Sequence, residues 1–271
     1  MTMTKVFLPV ALSLFFSTPF LQSAHAGASG WFETEGARIR LLASRSDTPG
    51  VVRGALEIEL EPGWKTYWRD PGDSGVAPEI DTKPAPHIAN VEIGFPPPKR
   101  FEDKYGDWAG YKERVALPLT FTMRPGQRGD IAVHFFLGVC QDICVPVDGQ
   151  LAVPVTELEN LRETLAINRA FEALPKKANE DFSARIDRQT ENMLDIRLDL
   201  PEGDTNAVLF VAGSDGYRLA MPEKKAEASH MFSVEILARP DETPSGPGLA
   251  YTLESEGNAV AGYLPYPVPH K

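Results

Sequence analysis

The chain has 271 residues, with 27 Lys and Arg against 38 Asp and Glu, for a formal net charge of −11. Such an excess of negative charge excludes nucleic acid and anionic membrane surfaces from the expected partners. Two cysteines are too few for a disulfide scaffold, and a chain of this length can bury an adequate core without a staple.

Residues Met1 to Ala26 place one early positive charge, Lys5, ahead of an apolar run from Val6 to Leu21, then close on Ala24-His25-Ala26. A basic start, an apolar middle and a small-x-small end make a secretory signal peptide over 1–26. Pro9 and Pro19 interrupt the run, which is short for a retained membrane anchor. Cleavage after Ala26 removes 26 of 271 residues and leaves 245, and loss of Lys5 takes the net charge from −11 to −12. No later apolar run is long enough to cross a bilayer. The expected product is therefore soluble, has no membrane span after signal cleavage, and sits in an oxidising compartment where disulfides persist.

From Ile39 onward, short alternating runs recur with turn residues between them. Leu56, Ile58 and Leu60 alternate with Glu57, Glu59 and Glu61; Val115, Leu117, Leu119, Phe121 and Met123 repeat the pattern. So do Ile131, Val133, Phe135, Leu137 and Val139. Period-two patterns mark strands with one buried face, and many of them with Pro and Gly between predict an all-β sandwich. If the last alternation continues, His134, Phe136, Gly138 and Cys140 share the opposite face.

One helix is expected from about Glu157 to Leu174. Thr156 with Glu159 has capping-box spacing, Ile167, Ala170, Phe171 and Leu174 make one face, and Pro175 ends it. This divides the mature chain into a β domain over 27–155, a connecting helix over 156–175 and a second small β domain over 176–271. In the second, Leu194 to Leu200, Ala207 to Val211, Phe232 to Ile236, Leu249 to Leu253 and Val260 to Leu264 read as strands. It has no cysteine and no cluster of catalytic residues, which fits a packing or docking module.

The chemistry concentrates in Gly138-Val139-Cys140-Gln141-Asp142-Ile143-Cys144-Val145-Pro146. Four extended steps of about 3.3 Å would hold the two α-carbons roughly 13 Å apart. A disulfide needs about 4.4 to 6.8 Å, so Gln141, Asp142 and Ile143 must form a tight turn if the cysteines are to join. As a staple the bond would be weak, stabilising the fold by about 2 kcal/mol for a five-residue loop against about 4.7 for a hundred-residue one. A redox dithiol is the favoured reading. Two others stay open: a soft-metal site, since two thiolates suit monovalent copper, and an inert bond in a protein adaptor.

Two earlier loops accompany the pair. Gly63-Trp64-Lys65-Thr66-Tyr67-Trp68 runs into the turn-rich Asp70-Pro71-Gly72-Asp73-Ser74-Gly75. Its aromatics are either core anchors or a surface beside the dithiol that excludes water and meets a partner. Phe95-Pro96-Pro97-Pro98-Lys99-Arg100-Phe101 leads to Glu102-Asp103-Lys104-Tyr105-Gly106-Asp107-Trp108, stiff arms and a glycine-bearing tip that suit a lid. Glu102, Asp103 and Asp107 lack the defined separation of a hydrolytic carboxylate pair. No nucleophile elbow, phosphate loop or zinc spacing occurs, and the histidines are scattered.

Taken as an ordered set, Gly63-Trp64-Lys65-Thr66-Tyr67-Trp68, Asp70 to Gly75, Phe95 to Phe101, Tyr111-Lys112-Glu113-Arg114-Val115-Ala116-Leu117-Pro118-Leu119 and Cys140 to Pro146 resemble a known periplasmic module. It is similar to the amino-terminal domain of the disulfide reductase DsbD, and more closely to relatives of the copper-sensitivity suppressor ScsB type, over roughly residues 30 to 155. The resemblance implies an immunoglobulin-like sandwich in the periplasm whose catalytic Cys140 and Cys144 need no cofactor. They would take electrons from a membrane-embedded transporter of DsbD/ScsB type and pass them to oxidised thioredoxin-fold proteins, with Cys144 facing the partner. It also implies a cap loop over the pair at Glu102 to Gly106. Glu102, Asp103 and Tyr105 would form the cap, with Tyr105 as shield because Lys104 stands where an aromatic is expected; Tyr67 and Trp68 would face the substrate. Two departures stand out: the three-residue cysteine spacing is closer than in the best-known member, and the chain ends without the membrane and carboxy-terminal thioredoxin domains of the full reductase.

Overall fold

A computed structural model describes residues 27–72, 75–103, 106–157, 160–202, 205–226 and 228–268. The expected signal peptide, Tyr105 and Glu159 lie outside the described residues. In the first half the strands are β1 (Phe32–Thr34), β2 (Ala37–Arg45), β3 (Val51–Leu60), β4 (Thr66–Tyr67), β5 (Glu79–Asp81) and β6 (Ile88–Ile93). They continue with β7 (Lys99–Asp103), β8 (Gly106–Tyr111), β9 (Val115–Met123), β10 (Ile131–Cys140) and β11 (Cys144–Val153). One sheet runs β1-β2-β3-β9-β6; the facing layer is β11-β10-β5, and a small third sheet is β4-β8-β7. This is an all-β, immunoglobulin-like sandwich.

The alternating side chains build its core. Leu56, Ile58, Leu117, Leu119 and Phe121 from one sheet meet Ile131, Val133, Phe135, Leu137 and Val139 from the other, all fully buried. Removing each such side chain from water contributes about 1.5–3 kcal/mol.

The helix is shorter than its sequence pattern suggests. Val155–Glu157 is a single 3-10 turn, and α1 spans Leu161–Glu172. Asn160 is its N-cap, accepting the Arg162 N–H at 2.9 Å through Oδ1. An Asn at that position caps as well as Ser or Thr, so the apparent Thr156 capping box does not start the helix. Nor does α1 only connect. Ile167 and Ala170 pack on Ala28, Leu42 and Ala55, covering the outer face of the five-stranded sheet. This burial on both faces explains the unbroken buried runs Leu41–Ser44 and Gly54–Ile58.

The second half contributes β12 (Lys176–Lys177), β13 (Ser183–Gln189), β14 (Met193–Asp199), β15 (Val208–Val211), β16 (Arg218–Leu219), β17 (Glu223–Lys224), β18 (Met231–Ala238), β19 (Leu249–Ser255) and β20 (Asn258–Leu264). One sheet is β12-β20-β19-β15 and the other β13-β14-β18-β16, with β17 also on β18. Their inner faces enclose a separate core that includes Leu194, Ile196, Val234, Leu249 and Leu253.

The two halves meet beside the Trp64 to Gly75 segment. Phe210 of β15 packs on Trp68 with ring centroids 5.8 Å apart. Gly213 N–H donates to Asp70 Oδ2 at 2.6 Å, and Arg100 Nη1 donates to the Pro222 carbonyl at 2.6 Å.

Candidate redox site

Strands β10 and β11 pair antiparallel along their whole length, ending at Cys140 opposite Cys144. Gln141, Asp142 and Ile143 form the hairpin tip, closed by Gln141 N–H donating to the Ile143 carbonyl at 3.3 Å. The turn that the spacing demands is thus the end of a β-ribbon. The cysteines form a disulfide with α-carbons 4.1 Å apart. Their environments differ sharply: Cys140 is 1% exposed, whereas Cys144 lies open to solvent. Ile143, between them, is 78% exposed.

Backbone pairing fixes the ribbon end to the Trp64 to Gly75 segment. Lys65 N–H donates to the Cys140 carbonyl at 2.8 Å, and Cys140 N–H returns a bond to the Lys65 carbonyl at 2.9 Å. Thr66 Oγ1 donates to the Gly138 carbonyl at 2.9 Å. These bonds set the next residue, Tyr67, against the disulfide, its hydroxyl 3.3 Å from Cys144 Sγ. A disulfide sulfur carries no hydrogen, so the hydroxyl donates. Two glycines make room for the ring. A Cβ on Gly138 would lie 3.3 Å from Tyr67 Cε2, and one on Gly75 would lie 2.8 Å from the same ring.

Tyr67, Trp108 and Cys140 form a small apolar cluster with Phe101 against it. Tyr67 meets Trp108 edge-on at 5.7 Å, and Phe101 stacks on Trp108 at 4.2 Å. Lys65 Nζ sits 4.3 Å from the centre of the Trp108 ring, and Lys112 Nζ 4.2 Å from that of Phe101. Apolar walls exclude water, while the Tyr67 hydroxyl can donate to a thiolate at Cys144.

The expected cap is the hairpin of β7 and β8, in which Phe101 opposes Trp108, Glu102 opposes Asp107 and Asp103 opposes Gly106. Glu102 is exposed on it. Asp107 is held by Arg100 Nε at 3.0 Å. Tyr105, the expected shield, lies outside the described residues. Tyr67 and Trp68, expected together on a substrate-facing surface, separate: successive strand residues point to opposite faces, so Trp68 enters the main core at 1% exposure, against Phe210.

His134 shares the Cys140 face of β10 but lies six residues away, about 20 Å along the strand, too far to tune the sulfur. Instead its Nδ1 is 3.1 Å from Asp81 Oδ2 and its Nε2 3.1 Å from Asp148 Oδ2. Hydrogen bonding to Asp81 and then Asp148 raises its pKa. The Lys83 backbone N–H, with smaller help from the Lys83 and His134 side chains, lowers that of Asp81 to about 2. Among the described residues, no group of three or more His, Cys, Asp or Glu side chains is arranged to hold a metal ion. Sequence reading missed Phe101, Trp108, Lys65 and Lys112 as parts of the site. The aromatic and basic residues flanking the Pro-rich loop, and the lysine beside Trp64, were the available signal.

Residues 40–156 match the family described as thiol:disulfide interchange protein DsbD, N-terminal. Among solved structures, the chain is similar to the N-terminal periplasmic domain of ScsB from Proteus mirabilis. The two are 22% identical, with a TM-score of 0.71 over 91% of this chain and 100% of that one, a likeness of fold that extends through both halves. No curated protein matches the chain. None of the described helices is long and apolar enough to cross a membrane. Residues 40–156 are thus similar in sequence to the DsbD amino-terminal family, and the chain shares its fold with the ScsB domain.

Proposed function

We propose that the chain is exported to the periplasm, cleaved after Ala26, and there relays reducing equivalents through Cys140 and Cys144. In this reading the redox domain is residues 27–155, and the second β domain, 176–271, braces it. The observation that carries the proposal is the asymmetry of the pair: one hairpin presents Cys144 to solvent and buries Cys140. A purely structural bond gains nothing from one open sulfur, and a five-residue loop contributes only about 2 kcal/mol.

Reduction begins when a donor thiolate attacks Cys144 Sγ and the Cys140 sulfur leaves as a thiolate. The donor's second thiolate then resolves the mixed disulfide, leaving the donor oxidised and the pair reduced by two electrons. In the second half, the Cys144 thiolate attacks an acceptor disulfide and expels one acceptor thiolate. Cys140 attacks Cys144 Sγ, expels the second and restores the Cys140–Cys144 bond. Tyr67 donates to Cys144 whenever that sulfur is a leaving or attacking thiolate. The proposed donor is a membrane-embedded transporter of DsbD/ScsB type, and the acceptors are oxidised thioredoxin-fold proteins.

The test mixes reduced mature protein with an oxidised thioredoxin-fold dithiol protein, then alkylates and weighs both. Loss of two alkylation sites here and gain of two on the partner is the expected result. No transfer over hours would overturn the proposal.

A further inference from the structure

Away from the redox pair, a carboxylate is buried with one oxygen unpartnered. Glu163, in the first turn of α1, is 3% exposed, and its Oε2 has no hydrogen-bond partner. An acid at this turn complements the helix start and can serve the cap with one oxygen. Burying the other without a partner is costly. Arg53, on the adjacent strand, is already engaged with Asn168 at 2.8 Å and with the Phe171 ring.

What lies against Glu163 is the start of the described chain. Ala43 N–H donates to the Gly27 carbonyl at 2.9 Å, Ser29 N–H to the Leu41 carbonyl at 2.8 Å, and Leu41 N–H to Ser29 Oγ at 2.9 Å. Gly27, Ala28 and Ser29 therefore run along β2, all buried. The first turn of α1 closes over them: a Cβ on Gly27 would be 3.2 Å from Glu163 Cβ and 3.3 Å from Asn160 Cβ. Gly27 has φ +79°, a conformation that suits glycine.

We propose that Glu163 is the built-in counter-ion of the mature amino terminus, pairing with the α-ammonium of Gly27 once the chain is cut after Ala26. Before cleavage the Gly27 nitrogen is a neutral amide. Hydrolysis of the Ala26–Gly27 bond by a leader-cleaving protease, with water as co-reactant, leaves a carboxylate on the departing Ala26 and an amine on Gly27. That amine, with an ordinary pKa of about 7.7–8.0, is mostly protonated at neutral pH. The glutamate side chain extends three bonds beyond its Cβ, long enough to bring Oε2 to the new charge. The consequence is a coupling of processing to folding: the precursor carries a buried, unpaired acid, and removal of the leader supplies its partner. An exported chain gains from a precursor less stable than its product.

The inference rests on the export reading above, and the two fail separately. Intact mass of the exported protein gives its first residue; a start other than Gly27 overturns the cleavage position and, with it, the pair. Given a Gly27 start, thermal unfolding is compared in two forms, one beginning at Gly27 and one retaining His25 and Ala26, each with and without Glu163→Gln. The substitution should lower Tm by about 5 °C or more in the Gly27 form and leave the extended form unchanged or more stable. Equal lowering in both forms, or none in either, would overturn the pairing. Exchange with a small thiol should be unchanged in all four samples, which separates this site from the redox pair. Should a variant fail to fold, the wild-type α-amine is titrated by pH-dependent acylation. A pKa above about 8.0 supports the pair and one at or below about 7.7 contradicts it.

Discussion

The Tyr67 hydroxyl donates to Cys144 Sγ at 3.3 Å, a contact between residues 77 positions apart in the chain. A thiolate accepts such a bond more strongly than a disulfide sulfur does, so the contact favours the reduced pair. Tyr67→Phe is expected to raise the Cys144 pKa by about one unit and lower the pair's reduction potential by roughly 30 mV. The pH dependence of Cys144 alkylation, with Cys140 replaced by Ala, reads the first of these. An unchanged profile would remove Tyr67 from the chemistry.

The difference in exposure supports the proposed cysteine roles. Because Cys144 is open and Cys140 buried, Cys140→Ala should accumulate a mixed disulfide with an oxidised partner, visible on a non-reducing gel. Cys144→Ala should form none. The reverse pattern would exchange attacker and resolver.

Ile143 stands exposed in the hairpin tip next to Cys144, a position that a docking protein can contact and a small thiol need not. Ile143→Ser is expected to slow exchange with a thioredoxin-fold protein about ten-fold, the scale of one lost apolar contact. Reduction by dithiothreitol should keep its rate. If both rates fall together, the tip acts on the bond itself rather than on docking.

Much of this was legible in the residues, and what was not has physical causes. Strands with one buried face show period two, so β9 and β10 stand out in Val115 to Met123 and Ile131 to Val139. The cysteine turn follows from chain geometry alone. By contrast, the choice between Tyr67 and Trp68 depends on which residue pairs with Gly110 of β8, a register no local pattern carries. Phe101 and Trp108 read as loop aromatics because their cross-strand pairing exists only in the folded hairpin. Asn160, not Thr156, caps α1, since the turn before it is 3-10 rather than α. The Trp68–Phe210 contact joins residues in different halves, beyond the reach of any sequence window.

His134 predicts a pH dependence. Both ring nitrogens face carboxylates of Asp81 and Asp148, an arrangement that only the doubly protonated ring satisfies, and its pKa is raised. A raised histidine stabilises fully below its unfolded value near 6.5 and loses that contribution as pH rises through the folded value. Asp81, lowered to about 2, contributes above its unfolded value of 3.8 and loses its contribution as pH falls through about 2. The pair therefore helps most between about pH 4 and 6.5. His134→Gln should lower Tm within that window by a small amount, since the ring is 29% exposed, and the gap to wild type should close at pH 9. A gap independent of pH would show that packing, not charge, is what the ring supplies.

The central claim is that the Cys140–Cys144 bond exchanges rather than staples, and its reduction potential tests this most directly. Purified mature protein is equilibrated in thiol buffers of defined potential, quenched with an alkylating agent and weighed. A midpoint above about −300 mV, with both cysteines modified together, is the predicted result. A midpoint well below about −300 mV would mark a bond that resists the cell's reductants and contradict a role in electron relay.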